Sequence, residues 1–293
     1  MNRDNVQTMS AGEIELAYET FGDPANPPLV LVMGLATQML GWPDEFCMRL
    51  ADAGLYVVRF DNRDIGLSTH MHEAGQPDLS PYFEGKPVES AYVLADMADD
   101  TAALLDGLGL DKVHIVGASM GGMIVQEVAM RHPQRLHTLT SIMSTPSPTI
   151  GAPTAEAGAI LFSPPATSED EAVERAIATY TVIGSPGFDL DIDALTERAR
   201  ESYRRAHDPA GVARQLAAIW ASGDRTEGLR EVDVPTLVIH GEGDPLVQIE
   251  GGRATAEAVP GARLVTYAGM GHDFPRELWP EIVDEITKHA GIA

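Results

Sequence analysis

A serine set between two glycines is the first side chain in this sequence that could carry covalent chemistry. Residues 117–121 read Gly-Ala-Ser-Met-Gly, with an apolar run before them at 113–116 and a helical pattern after them. A serine at a sharp strand-to-helix turn needs glycine two positions before and after it, because larger side chains would clash there. The spacing therefore predicts that Ser119 is an exposed nucleophile.

A serine hydroxyl needs a base within hydrogen-bond reach, and histidine is the usual one. Of the nine histidines, only His272 follows the last predicted strand in a glycine-rich loop, which could carry an imidazole over the strand ends. We predict that His272 is the base and that His114 and His240, which lie in predicted strands, are structural. Activity should then rise between about pH 6 and 8, as the imidazole loses its proton.

A carboxylate must hold the tautomer of that histidine and stabilise its charged form. Asp244 follows the penultimate predicted strand through a tight turn, which keeps the chain order serine, acid, histidine. Glu242 is the local alternative. The other strand end that could supply an acid, after residue 143, reads Ser-Thr-Pro and has no carboxylate. We therefore predict that Asp244 is the acid.

The tetrahedral intermediate of such a reaction also needs two N–H donors aimed at its oxyanion. The natural candidates are the backbone amides of Met120, next to the nucleophile, and of Leu35, in the loop after the apolar run 29–33. Gly34 would let that loop approach Ser119 closely. The prediction concerns the direction of two N–H groups, so the side chains at these two positions matter less.

Strands that are buried on both faces must position these residues. Nearly continuous apolar runs, as expected for parallel strands, occur at 29–33, 56–60, 113–116, 139–143, 236–240 and 263–267. Helix-like segments lie between them, which predicts an α/β fold with a mostly parallel central sheet flanked by helices. Residues 14–18 alternate more strictly and predict an antiparallel edge before the parallel part.

The strand pattern stops near residue 145 and does not resume until about residue 234. Helical patterns fill this interval at 168–180, 192–206 and 211–221, and the linkers near residues 163–165 and 184–187 are rich in glycine, proline and serine. We therefore predict a core in two parts, 1–145 and 233–293, with a helical cap inserted at 146–232.

Composition excludes several classes of partner and location. The net charge of −24 would repel nucleic acid and anionic lipid headgroups, so we expect no nucleic-acid partner. No segment reads as a secretory signal or as a membrane span. The single Cys47 requires no oxidising compartment and is expected to be buried among apolar side chains. A cytoplasmic location is the resulting expectation.

Two charged segments could suggest other chemistry. His70 and His72 are close in sequence, but no further ligands follow at a recognisable spacing, so no metal is expected. The glycine-rich turns form no dinucleotide or phosphate-loop fingerprint, so no cofactor is expected either. The loop at 61–64 reads Asp-Asn-Arg-Asp. We interpret it as an ion-pair loop that orders the rim of the site rather than as catalytic.

Four segments resemble the α/β-hydrolase superfamily and, within it, the aclacinomycin methylesterase group and related lipases and esterases: 41–46, 60–69, 117–121 and 269–272. In this superfamily a histidine commonly precedes the glycine of the first oxyanion loop, whereas Met33 takes that place here, as in the methylesterase-like branch. The resemblance implies ester hydrolysis, with polyketide methyl esters among the substrates. It also implies that Ser119, Asp244 and His272 form a catalytic triad. The oxyanion hole that it implies is formed by the backbone amides of Leu35 and Met120.

Several functions remain open for this set of residues. The expected one is hydrolysis of small to medium apolar esters or methyl esters through an acyl-enzyme on Ser119. A cofactor-free perhydrolase or haloperoxidase, or a C–C bond hydrolase, could use the same triad, and a receptor on this fold would bind small molecules without turnover. Under the cap, Met143, Phe162, Phe188 and Trp220 could line an apolar pocket. The sequence does not indicate an oligomeric state.

Overall fold

Eight strands form one sheet in the computed structural model, which describes residues 6–292. The strands are β1 (Gln7–Ala11), β2 (Ile14–Phe21), β3 (Pro28–Val32), β4 (Tyr56–Phe60), β5 (Val113–Ala118), β6 (Leu136–Ile142), β7 (Thr236–Gly241) and β8 (Arg263–Tyr267). Their order in the sheet is β1-β2-β4-β3-β5-β6-β7-β8. The predicted fold class is confirmed.

The burial of the strands agrees with the directions in which they pair. Every residue of β5 is buried, and β3 and β5 pair in parallel, with Val30 opposite Ile115. Strands covered on both faces in this way can be apolar throughout. The pairs β1–β2 and β2–β4 are antiparallel, so the predicted antiparallel edge is confirmed. The ends of the predicted strands differ from the observed ends by up to three residues.

Eleven α-helices lie within residues 6–292. They are α1 (Asp44–Asp52), α2 (Ser80–Phe83), α3 (Leu94–Gly107), α4 (Met120–Arg131), α5 (Ala155–Ile160), α6 (Glu169–Ile183), α7 (Ile192–Arg205), α8 (Pro209–Ala221), α9 (Thr226–Leu229), α10 (Ile249–Ala258) and α11 (Trp279–His289). Apolar side chains of α3 and α4, including Leu104 and Ile124, cover one face of the sheet. Those of α1 and α11, including Phe46 and Ile282, cover the other face. None of these helices is long and apolar enough to cross a bilayer.

Helices α5 to α9 occupy the interval between β6 and β7 where we predict a cap. Helix α8 is anchored to the core by a buried ion pair, because both Nε and Nη2 of Arg214 donate to the carboxylate of Asp64, at 2.8 and 2.7 Å. Arg205 of α7 lies 3.1 Å from Asp61. The boundaries at residues 146 and 232 stay a prediction, and residues 1–5 and 293 of the predicted core lie outside the described residues.

The charged loop at 61–64 is an ion-pair loop, as predicted. Asp61 accepts the N–H groups of Met39 and Leu67, and Arg63 donates twice to Asp100 of α3 at 2.6 Å. The Asp61 carboxylate is fully buried, so its bonds to backbone N–H groups satisfy oxygens that would otherwise be left without water. The loop therefore joins β4, α3 and the segment after β3 into one rigid rim.

Cys47 is buried among apolar side chains, as predicted. Burial raises the pKa of its thiol to about 12, because the thiolate would lose its hydration there. A thiol that stays protonated at neutral pH is a poor nucleophile. Cys47 therefore serves packing rather than chemistry.

Acid should destabilise this fold through His114. Its Nδ1 lies 2.8 Å from the hydroxyl of Thr138, and burial lowers the pKa of His114 from 6.5 to about 4. Between these two pH values the unfolded chain binds more protons than the folded chain, so stability falls as the pH drops through that window. We expect His114→Gln to weaken this pH dependence by about 1 to 2 kcal/mol, measured by urea unfolding at pH 7 and pH 4.5.

The matched control is His207→Gln, which changes an exposed histidine and should leave the pH dependence as it is in the wild type. If His114→Gln and His207→Gln lose stability equally between the two pH values, His114 does not contribute to the acid sensitivity.

Candidate active site

Ser119 lies at a sharp turn between β5 and α4. Its φ of +56° and ψ of −121° are values that side-chain-bearing residues rarely adopt. A β-carbon at Gly121 would lie 2.1 Å from the carbonyl oxygen of Val32, and one at Gly117 would lie 2.2 Å from the carbonyl oxygen of Gly121. Both positions must therefore be glycine, because the turn presses backbone against backbone.

The structure brings Ser119, His272 and Asp244 together from the ends of three strands. Nε2 of His272 lies 2.9 Å from Oγ of Ser119, and Nδ1 of His272 lies 2.7 Å from Oδ2 of Asp244. The carboxylate can only accept, so Nδ1 carries the hydrogen and Nε2 is left to accept the hydrogen of the serine hydroxyl. This is the arrangement that lets an imidazole take a proton from an attacking serine.

The carboxylate of Asp244 is held by its own turn. Its second oxygen, Oδ1, accepts the N–H groups of Leu246 and Val247, each at 2.9 Å. The imidazole of His240 donates through Nε2 to the carbonyl oxygen of Val247 at 2.8 Å, and burial lowers the pKa of His240. Asp244 therefore has a single orientation, with Oδ2 directed at His272. His240 is a structural group, as predicted.

Glu242, the alternative acid, faces elsewhere. It accepts the hydroxyl of Thr266 at 2.9 Å on the edge strand β8, and its side chain is exposed. Of the two carboxylates in this loop, only Asp244 contacts the histidine.

The loop that carries His272 is held by residues at and just after the end of α6, which the sequence did not indicate. The N–H of His272 donates to the carbonyl oxygen of Ile183 at 2.7 Å, and the N–H of Gly271 donates to Oγ of Ser185 at 2.8 Å. Ser185 also donates to Asp273, and burial raises the pKa of that carboxyl. These partners lie more than 80 residues from His272, so no local pattern could have revealed them.

The two predicted oxyanion amides belong to residues that neighbour Ser119 in the chain or follow a glycine packed against it. Met120 is the first residue of α4, and a helix leaves the N–H groups of its first turn without intrahelical partners. Leu35 follows Gly34, where a β-carbon would lie 3.0 Å from Cβ of Ser119. The side chain of Asn62 donates to the carbonyl oxygen of Met33 at 2.9 Å and so holds the start of this loop.

His70 and His72 lie near the carboxylate of Asp208, the residue directly before α8. Nδ1 of His70 lies 2.8 Å from Oδ2 of Asp208, and Nδ1 of His72 lies 3.6 Å from the same oxygen. Among residues 6–292 these are the three side chains whose spacing could suit a metal ion. Arg214 also lies 3.2 Å from this oxygen, so a cation already neutralises the carboxylate. The expectation that the protein binds no metal stays a prediction.

The four predicted pocket residues separate into two pairs. Met143 and Phe188 pack in the apolar cluster beneath the sheet. Phe162 and Trp220 line an open apolar depression of about 300 Å³ together with Tyr82, whose ring stacks on Trp220 with a centroid distance of 3.8 Å. Neither Ser119 nor His272 lines this depression. Whether any of the four contacts a substrate stays a prediction.

Comparison with known proteins agrees with the fold. The family described as α/β-hydrolase fold matches residues 27–180, and one described as TAP-like protein matches residues 213–277. The chain belongs to the α/β-hydrolase fold family. Rhodomycin D methylesterases from Streptomyces sp. (strain C5) and Streptomyces peucetius are both 30% identical to it. The alignments cover 98% and 96% of this chain, and 99% and 96% of those proteins.

Solved structures show the same fold. A hydrolase from Pseudomonas aeruginosa PA01 aligns with a TM-score of 0.74 at 24% identity, and the alignment covers 99% of this chain and 100% of that one.

We expect Gly121→Ala to destabilise the protein by about 3 kcal/mol or more, because the new methyl group would overlap the carbonyl oxygen of Val32. Urea unfolding measures the loss of stability. The matched control is Gly158→Ala in α5, where the nearest atoms lie 3.5 Å away and alanine is the better helix former. Equal stability of the two variants would contradict the steric argument.

Proposed function

We propose that this protein is a serine hydrolase that cleaves carboxylic esters, with Ser119 as its nucleophile. The observation that carries the proposal is the continuous chain of hydrogen bonds from Oγ of Ser119 through both nitrogens of His272 to Asp244. Only 8% of His272 and 4% of Asp244 is exposed. Burial shields this chain of contacts from water, which strengthens its electrostatic coupling.

Acyl transfer follows from this geometry in two halves. Oγ of Ser119 attacks the ester carbonyl carbon while Nε2 of His272 takes the hydroxyl proton, and the carbonyl π electrons move to the oxygen. Collapse of this intermediate breaks the bond to the alcohol, which leaves with the proton from His272. Water then attacks the acyl-enzyme, gives its proton to His272 and releases the acid, and Ser119 regains its proton.

Two backbone amides stabilise the negatively charged oxygen of the tetrahedral intermediate, both when the acyl-enzyme forms and when water cleaves it. The N–H of Met120 points out of the first turn of α4, where the aligned peptide dipoles also favour a negative charge. The second donor is the N–H of Leu35, on the loop after β3. Two such donors are worth several kcal/mol to the transition state when they are positioned in advance.

The substrate we propose is a small to medium apolar ester or a methyl ester. The two rhodomycin D methylesterases, which align over nearly the whole chain, support a methyl ester. Helices α5 to α9, as the proposed cap, would cover the site and exclude water. No nucleic-acid partner is proposed, and the cytoplasmic location stays a prediction.

The alternatives are not favoured. A perhydrolase, a haloperoxidase or a C–C bond hydrolase would use the same three side chains, and no contact described above favours them over an esterase. A receptor without turnover would not need the bond from His272 to Ser119 at 2.9 Å. Profiling with esters, peroxide plus halide, and diketones separates these functions.

Ser119→Ala should lower kcat on an aryl ester by about 10⁴-fold or more, because the acyl group has no oxygen to bond to. A fluorophosphonate probe should label the wild type at one site per chain, located at Ser119 by peptide mapping, and should not label the variant. Full activity of Ser119→Ala would contradict the proposal.

Asp244→Asn should lower kcat by about a thousandfold or more, because an amide can present its N–H to His272 and favour the wrong tautomer. Glu242→Gln is the control from the same loop and should keep the activity of the wild type. A larger loss in Glu242→Gln than in Asp244→Asn would reverse the assignment of the acid.

A further inference from the structure

Gln215 of α8 is a fully buried polar side chain that the mechanism above does not use. Its Oε1 accepts the backbone N–H of Ala36 at 3.2 Å, and its Nε2 donates to the carbonyl oxygen of Arg63 at 2.9 Å. An amide flipped by 180° would place donor against donor and acceptor against acceptor, so only one orientation fits. The side chain therefore links the cap to two separate loops of the core.

Ala36 directly follows the proposed oxyanion donor Leu35. Its φ of +59° is unfavourable for a residue with a β-carbon, and such a conformation persists only where surrounding contacts impose it. The bond to Gln215 is one such contact. Without it, the N–H of Ala36 would lose this partner, and the segment could relax toward an ordinary conformation.

The peptide between Gly34 and Leu35 is held on both sides. Asn62 holds the carbonyl of Met33 before it, and Gln215 holds the N–H of Ala36 after it. The carbonyl oxygen of Gly34 accepts the N–H of Thr37 at 3.4 Å. Because a trans peptide directs its C=O and its N–H to opposite sides, this bond also fixes the direction of the Leu35 N–H.

We infer that Gln215 is a positioning residue that aims the N–H of Leu35 at the oxyanion. The inference rests on the proposed function, and it assigns part of the oxyanion hole to a side chain of the cap. Gln215 itself does not contact the reacting atoms. It acts through Ala36, and its loss should therefore affect the transition state more than substrate binding.

The test compares Gln215→Leu, which keeps most of the volume and removes both bonds, with a matched control. Ser222→Ala also removes a bond between the end of α8 and a core backbone N–H, because Oγ of Ser222 accepts the N–H of Leu94 at 2.8 Å. That N–H begins α3 and lies outside the oxyanion loop. The control therefore measures what a lost contact between cap and core does by itself.

We expect Gln215→Leu to lower kcat on an aryl ester by about 10-fold to 100-fold, with KM within about threefold of the wild type. A trifluoromethyl ketone binds serine hydrolases as a tetrahedral adduct with a negative oxygen, so its inhibition constant should rise by the same factor as kcat/KM falls. Ser222→Ala should change neither quantity. The fraction of chains labelled by a fluorophosphonate at saturation should stay the same in both variants.

Gln215→Glu is a conservative rescue variant that can keep both bonds, and it serves if the leucine variant does not fold. It keeps an oxygen for the N–H of Ala36, and burial favours its neutral form, which can still donate to Arg63. It should therefore recover most of the kcat that leucine loses. If the Glu and Leu variants are equally impaired, the contact with Ala36 is not what matters, and the inference is overturned.

Five other results also decide between the proposals. Wild-type kcat in Gln215→Leu would overturn the inference. Equal losses in Gln215→Leu and Ser222→Ala, or a loss explained by a smaller labelled fraction, would show a purely structural role. An unlabelled wild type, or full activity in Ser119→Ala, would instead overturn the proposed function, and the inference would fall with it.

Discussion

The site depends on the place where the backbone at the end of β3 touches the turn between β5 and α4, with no side chains between them. Gly121 lies against the carbonyl of Val32, and Gly34 lies against Ser119. This close approach lets the chain turn sharply at Ser119, with a backbone strain of about 1 to 3 kcal/mol that the parallel pairing of β3 and β5 sustains. The same approach brings the loop after β3 within reach of the serine, so one steric constraint positions both the nucleophile and the loop of Leu35.

The helices between β6 and β7 contact both the loop of His272 and the core. The last residue of α6, Ile183, and Ser185 just after it accept hydrogen bonds from the loop of His272. Helix α8 holds the core through the buried pair of Arg214 and Asp64. In our proposals, Gln215 adds a further bond to the oxyanion loop. Displacement of these helices would therefore break contacts that hold the loop of His272.

The local sequence pattern was informative at positions where the backbone geometry requires a particular residue. The glycines around Ser119 mark a turn that larger residues cannot make, and the buried strands are recognisable because a doubly covered strand tolerates few polar residues. The sequence pattern did not predict contacts between segments that are distant along the chain. Gln215 lies 179 residues from Ala36, and Asp208 lies 138 residues from His70. Neither residue is distinguishable in sequence from a polar surface residue of a helix.

The sequence by itself determined the fold class, the order of serine, acid and histidine along the chain, and the choice of Asp244 over its neighbour Glu242. These follow from short-range rules of spacing, burial and turn chemistry that act within a few residues. Only the tertiary structure decided the tautomer of His272, the partners that hold its loop, and the contacts of Gln215. Those properties depend on the relative direction of hydrogen-bonding groups brought together from separate elements, and such directions exist only once the chain has packed.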